Sequence, residues 1–385
     1  MTVLHLPSTS GTVEPYELGG PRTWQAPSGA PLCRTAYAAA HVVADPLADN
    51  TPGRPAALDW DATLAFRRHL WAQGLGVADA MDTAQRGMGL TWDTTAELIR
   101  RSGAEASAVG GTLACGVGTD HAPEVTDLDG VVAAYLEQLA VVQEAGATPI
   151  LMASRELARV AGSGEDYLKV YGRVLQHSGK PVILHWLGPM FDPALTGYWG
   201  SDDVGTAMKL VLELIHHHEA RVDGIKLSLL EQQHELDLRA ALPDSVTMYT
   251  GDDFNYPDLI AGDERHHSHA LLGIFDPIAP AASAALDALG RGDLTGYHEI
   301  FAPTLPLARH LFAAPTYYYK TGIVFLAWVN GHQDGFRMVG GLESARSVLH
   351  LVEAFRLADR AGLLRDPELA AARMTKLLTV AGVTQ

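Results

Sequence analysis

Cysteine is nearly absent from this chain: Cys33 and Cys115 are the only two in 385 residues. Two thiols exclude a disulfide framework and a cysteine-based zinc site. Basic residues are also scarce, 28 Lys and Arg against 45 Asp and Glu, for a net charge of −17. A nucleic-acid partner needs a basic face, and no Lys/Arg cluster supplies one. The surplus of acid serves solubility instead. No apolar run reaches the roughly 18 residues of a membrane span, and no charged-then-apolar leader opens the chain. These absences predict a soluble, cytoplasmic protein with neither nucleic-acid nor membrane partners. A Gly-rich phosphate turn after an early strand is missing too. Gly110-Gly111 precedes its strand, which argues against a doubly wound dinucleotide fold.

What is present is 47% hydrophobic residues, ample for a large core, set out in a regular rhythm. Residues 1–33 form an arm. Two short extended runs, 2–6 and 12–18, flank Pro7-Ser8-Thr9-Ser10-Gly11 and predict a hairpin, placed to plug the lower end of the domain after it. Gly and Pro punctuate the arm from there to Leu32. Strand-like runs then recur at 34–43, 76–80, 112–117, 148–153, 181–186, 222–226, 245–250 and 270–275. Helical runs alternate with them at 61–73, 93–102, 128–145, 165–176, 202–219, 231–240, 257–261 and 281–289. Asp59 caps the first helix and Gly74 stops it. Eight alternations predict an α/β fold, a (β/α)8 TIM barrel over residues 34–290. Residues 291–385 read as a helical extension, with helices at 295–312, 317–329, 342–361 and 367–381.

The most informative strand is Val222-Asp223-Gly224-Ile225-Lys226-Leu227-Ser228. A lysine is almost never buried unless it is paired or chemically employed. At the mouth of a barrel strand, desolvation lowers its pKa and frees an amine for Schiff-base chemistry. The plainer readings are a lysine that snorkels outward or pairs with a carboxylate such as Asp252. Barrel chemistry collects at the C-terminal ends of the strands. Those ends carry Asp45, Asp82 and Thr83, Asp120 and His121, Arg155, His185, Lys226, Asp252 and Asp253, and Asp276. Strands five and six are sequential, so His185 and Lys226 can share a pocket, a base beside an amine; a core histidine bonded to backbone is the alternative. His216-His217-His218 reads as a surface helix end. His267 and His269 have a metal-ligand spacing but enter strand eight at its wrong end. Tyr317-Tyr318-Tyr319 reads as a packed helix start.

These residues resemble the dihydrodipicolinate synthase/N-acetylneuraminate lyase superfamily of class I, Schiff-base-forming barrels, from about residue 36 to the end of the extension. Gly224-Ile225-Lys226 looks like that family's Schiff-base lysine strand, and Thr250-Gly251-Asp252-Asp253 like its Ser-Gly-Asp-Asp turn. Gly292-Asp293 and Lys320-Thr321-Gly322 resemble its C-terminal portion. The chain departs from the pattern at two places. His185 stands where the family carries its catalytic tyrosine. Met81-Asp82-Thr83-Ala84-Gln85 stands where a Gly-Thr-Thr-Gly-Glu loop binds a keto-acid carboxylate. Asp82 would repel such a carboxylate, which disfavours simple pyruvate.

The resemblance implies a lyase or aldolase in which Lys226 forms an imine with a small carbonyl compound, of keto-acid, sugar or sugar-acid type, and His185 moves protons. Asp82, Thr83, Gln85, Asp45, His121, Asp252 and Asp253 are the candidate substrate-binding residues. No cofactor or metal is implied, and the assembly is expected to be a homodimer or homotetramer. The apolar 317–329 helix argues for oligomerisation too, as surface in need of cover. Two other readings stand beside this one. A metal-dependent barrel would use His121, His185 and nearby Asp residues, and metal analysis separates it. A non-catalytic barrel binding a sugar-like ligand would bind without forming an imine.

Overall fold

The computed structural model describes residues 2–24 and 32–383. It opens with an antiparallel hairpin, β1 (Val3–Pro7) and β2 (Val13–Glu17). The Gly/Pro-punctuated part of the arm includes residues 25–31, which lie outside the described residues. The chain then alternates strand and helix through β3 (Ala36–Ala39), α1 (Trp60–Ala72), β4 (Gly76–Asp79), α2 (Trp92–Val109), β5 (Leu113–Val117), α3 (Leu128–Glu144) and β6 (Thr148–Leu151). A short α4 (Arg155–Val160) precedes α5 (Gly164–His177), followed by β7 (Val182–Leu187), α6 (Val204–His217), β8 (Val222–Ser228) and α7 (Gln232–Ala241). The barrel ends with β9 (Thr247–Thr250), α8 (Tyr256–Ala261), β10 (His269–Leu272) and α9 (Ala279–Gly290). Its eight strands are parallel, and it closes where Ala270 of β10 pairs with Ala36 of β3. This is the (β/α)8 barrel that the rhythm of the sequence predicts.

The period-two alternation of each strand divides its side chains between two cores. On β7 and β8, Leu184, Trp186, Ile225 and Leu227 join the layer between strands and helices. Ile183 faces inward with Tyr37, Ala78, Ala114, Ile150, Tyr249 and Leu271. The same alternation turns His185, Lys226 and Ser228 inward. The rings of Tyr37 and Tyr249, 6.1 Å apart, fill the interior. Gly76 and Gly224 make room for them, since a Cβ at either position would come within 2.7 Å of a tyrosine ring atom.

The barrel interior is thus closed by its own tyrosines, and the hairpin does not plug it. The hairpin instead lies against the extension, where the Tyr16 hydroxyl donates to Asp359 at 2.8 Å and Arg356 donates to the Pro7 carbonyl. Leu4 and Leu6 are buried there while the facing strand stays mostly exposed, so the arm has one apolar face to cover.

The extension comprises α10 (Leu294–Phe301), α11 (Leu305–Leu311), α12 (Tyr319–Val329), α13 (Val348–Arg360) and α14 (Pro367–Val380). The single helix expected over 295–312 is two, broken around Pro303 and Pro306, where proline removes N–H donors and crowds the preceding turn. Every residue of α12 is buried, against α11, α13 and α14. A helix apolar on all sides is an interior helix, so its hydrophobicity is satisfied within one chain and no longer argues for oligomerisation. Among the described residues no helix is long and apolar enough to cross a membrane.

Candidate active site

Lys226 is 8% exposed and Cα-paired with His185 on one side and Tyr249 on the other. Its ammonium has no hydrogen bond or salt bridge among the described residues. Burial pulls its pKa below the usual lysine value; the nearby charges of Asp253 and Asp82 oppose that without cancelling it. The bare backbone of Gly251 makes the space for its stem, since a Cβ there would lie 2.8 Å from Lys226 Cε.

The amine lines a small chamber with Asp82, Thr83, Ser228, Asp253 and Tyr319, roofed by Leu187 and Phe191. The volume is about 10 Å3. Asp253 follows β9, and its Oδ1 accepts from the Ile274 amide at 2.8 Å. Burial raises its pKa to about 7, against the lowering effects of that hydrogen bond and of Lys226. Thr83 and Tyr319 share a hydroxyl–hydroxyl bond of 2.8 Å. Burial holds the Tyr319 phenol well above its ordinary pKa, so it stays protonated and can donate. His185, 1% exposed, does not itself line the chamber. Its Nε2 lies 3.3 Å from Ser228 Oγ, and its Nδ1 has no partner among the described residues. Burial and the Lys226 charge keep the imidazole well below its usual pKa, hence neutral. Ser228 therefore stands between the histidine and the chamber. Asp82 also lines an outer vestibule of about 60 Å3 with Arg86, Arg155 and Asp192, and Arg155 Nε meets Asp192 at 2.5 Å.

With this geometry in view, comparison places the chain. Residues 4–383 match the family described as Protein of unknown function (DUF993). The chain belongs to that family. No curated protein matches it. Among solved structures it is similar to dihydrodipicolinate synthase from Thermotoga maritima, at 14% identity over 86% of this chain and 99% of that chain, with a TM-score of 0.63. It is similar as well to 4-hydroxy-tetrahydrodipicolinate synthase from Methylacidiphilum fumariolicum SolV, at 14% identity over 89% and 99%, TM-score 0.63. For the enzyme from Aquifex aeolicus the figures are 14%, 91%, 98% and 0.60. At these identities the likeness establishes a shared fold.

The structure of this DUF993 member gathers Lys226, Asp82, Thr83 and Asp253 into one chamber and leaves the other candidates elsewhere. Gln85 spends its amide on the extension: Nε2 donates to the Val339 carbonyl at 2.9 Å and Oε1 accepts from the Val339 amide. Asp45 forms a turn with Leu47 and Asp252 caps the backbone of Phe254 and Asn255; neither lines the chamber. His121 is engaged by Glu137 and Gln138 and lines neither chamber nor vestibule, so it is not joined to His185 as the metal reading requires. Among the described residues no group of three or more His, Cys, Asp or Glu is arranged to hold a metal. Asp276 turns away from the chamber to His41, at 2.8 Å.

Two chamber residues were missed. Ser228 lies two positions beyond Lys226, where strand periodicity makes it a neighbour on the same face. Tyr319 stacks on Phe312 with ring centroids 4.4 Å apart, as a packed helix start would, yet its hydroxyl reaches the chamber. A tyrosine thus stands at the site after all, supplied by α12 instead of β7.

Proposed function

We propose that this protein is a lyase or aldolase in which Lys226 forms an imine with a small carbonyl compound. One observation carries this reading: a buried, inward lysine with no ion pair among the described residues, in a closed chamber whose other polar groups are two carboxyls, two hydroxyls from separate elements and a serine backed by a neutral histidine. The neutral amine attacks the carbonyl carbon as the carbonyl oxygen takes a proton, giving a carbinolamine. Transfer of one of the two nitrogen protons to the hydroxyl, which departs as water, leaves the protonated imine with its remaining N–H, an electron sink for cleaving or making an adjacent C–C bond or for dehydration. Asp253, with a pKa near neutrality, suits the exchange of these protons. The Tyr319 hydroxyl, held by Thr83, suits donation to the carbonyl oxygen. Ser228 and His185 form a second route for a proton.

Asp82 and Asp253 together disfavour a carboxylate beside the reacting carbon, so the reading favours an uncharged or hydroxylated carbonyl compound over pyruvate. The expected homodimer or homotetramer now rests on the resemblance alone, and light scattering tests it: a single species of about 41 kDa excludes it.

The test of the chemistry is reductive trapping. Screening carbonyl compounds with borohydride should yield one stable adduct, mapped by peptide mass spectrometry to Lys226 and lost in Lys226→Ala. An adduct on another lysine, or full turnover in Lys226→Ala, rejects the mechanism.

A further inference from the structure

The vestibule outside the chamber holds polar groups that the chemistry at Lys226 does not use. It is lined by residues that follow β4, β5, β6 and β7, and it shares Asp82 and Leu187 with the chamber. A compound whose carbonyl carbon lies at Lys226 therefore extends past those two residues into the vestibule. What lines the vestibule then decides what the rest of that compound can carry.

Both guanidinium groups there are already matched by carboxylates. Arg86, 4% exposed, pairs with Asp120 and donates also to the carbonyls of Ala80 and Gly116 and to Gln138 Oε1. Arg155 pairs with Asp192. Asp82 has no hydrogen bond or ion pair among the described residues, but the charge of Lys320 acts on it at longer range. Lys320 is 2% exposed, and burial lowers its pKa to about 8, which leaves it charged at neutral pH.

Glu156 is different. It is 8% exposed, and its Oε2 accepts from the Thr119 hydroxyl at 2.6 Å and lies 3.5 Å from Ser154 Oγ. Thr119 gives its one proton to Glu156, so Ser154 supplies the proton in the 2.6 Å contact between the two hydroxyls. Both hydroxyl protons are thus spent within the protein. Glu156 Oε1 accepts from no donor among the described residues, and it is not sealed in: the residue lines the vestibule. Carboxylate oxygens this deeply set are almost always hydrogen-bonded, so Oε1 marks a place for a donor from a ligand. Arg86 and Arg155 line the same space of about 60 Å3 and repel a cationic donor, which leaves the hydroxyl group.

We propose that the vestibule is the subsite for a hydroxylated tail, and that the substrate is a neutral polyhydroxy carbonyl compound. Its tail hydroxyls donate to Glu156 Oε1 and to Asp82 while its carbonyl carbon meets the amine. This rests on the reading that Lys226 forms the imine, and it makes Glu156 a residue that sets specificity.

Reductive trapping with cyanoborohydride compares four probes with four-carbon chains: L-erythrulose, butanone, 4-aminobutan-2-one and 2-oxobutyrate. The readout is the concentration giving the half-maximal rate of Lys226 labelling, by intact mass and peptide mapping. L-erythrulose should reach it at a concentration about tenfold or more below that of butanone. Neither charged probe should do better than butanone. Glu156→Gln keeps the shape of the side chain and an acceptor for Thr119, and should cut the L-erythrulose preference about tenfold. A merely structural role of Glu156 would not move that ratio. Calorimetric titration with L-erythrulose, without reductant, keeps this subsite and the imine apart. Binding heat that Glu156→Gln diminishes, without an adduct, supports the subsite and rejects the imine. An adduct without the L-erythrulose preference keeps the imine and overturns the subsite. Preference for 4-aminobutan-2-one or 2-oxobutyrate also overturns it, as does an unchanged ratio in Glu156→Gln, or neither heat nor adduct with L-erythrulose.

Discussion

Two buried clusters of charge sit on opposite faces of the same barrel wall, and they are built on opposite plans. On the outer face, Asp79 at the end of β4 receives Arg67 from α1 through two hydrogen bonds, of 2.8 and 3.1 Å, and the Ser102 hydroxyl from α2 at 2.6 Å. Arg67 also donates to the backbone of Thr63 and His41. Every strong donor and acceptor finds a partner, as a buried ion pair requires if it is to hold. On the inner face, Lys226 and Asp253 lie close enough to influence each other's protonation yet form no ion pair. The difference separates a charge that fixes structure from one that stays available for chemistry.

Four substitutions sharpen this contrast. Lys226→Ala should lower turnover by about 10³-fold or more and shift unfolding stability by no more than about 1 kcal/mol, read from enzyme assays and urea melts of one preparation. A loss of stability as large as the loss of activity would place Lys226 in the structural class. Arg67→Met should do the reverse: it strands the buried Asp79 carboxylate and costs about 3–5 kcal/mol, while whatever protein remains folded still forms the Lys226 adduct.

Asp253→Asn tests the raised carboxyl. Its folded-state pKa of about 7 exceeds the ordinary 3.8. The stabilisation it contributes is therefore complete below pH 4 and lost as pH rises through 7. The asparagine variant should match the unaltered protein at pH 4 and exceed it by about 2–4 kcal/mol at pH 8; a gap that is the same at both pH values refutes the assignment. Tyr319→Phe keeps the stack on Phe312 and removes only the hydroxyl. Its expected cost is about 1 kcal/mol of stability and about 10- to 100-fold in turnover, with trapping at Lys226 preserved. Unchanged turnover would make Tyr319 a packing residue.

The sequence was most legible where local pattern and tertiary role coincide. Each barrel strand is an apolar run between turn signals, and Lys226 stood out because it interrupts one. Periodicity alone also makes Ser228 its same-face neighbour. Tyr319 could not be found this way, because it belongs to a helix far along the chain and only the packing of the extension on the barrel brings it to the chamber. Gln85 and His121 misled for a related reason: both stand after barrel strands, but their polar groups are consumed by Val339 and by Glu137 and Gln138. Position along a strand says which residues reach the mouth, whereas partners arriving from elsewhere decide which stay free. The hairpin was misplaced on the same grounds, since its apolar face fits any apolar surface and α13 was the one that met it.

The smallness of the chamber has a consequence in time. Some 10 Å3 is room for about one water molecule, so no carbonyl compound reaches Lys226 in this resting arrangement. Phe191, set edge-on to Phe312 and Tyr319 at 6.4 and 6.1 Å, has to yield first. The apparent Kd is then the intrinsic Kd divided by the fraction of molecules that are open. If about one molecule in a hundred is open, a ligand that intrinsically binds at about 10 μM reads as about 1 mM. Saturating borohydride makes the rate of adduct formation a clock for that opening, and Phe191→Ala should make the clock run fast.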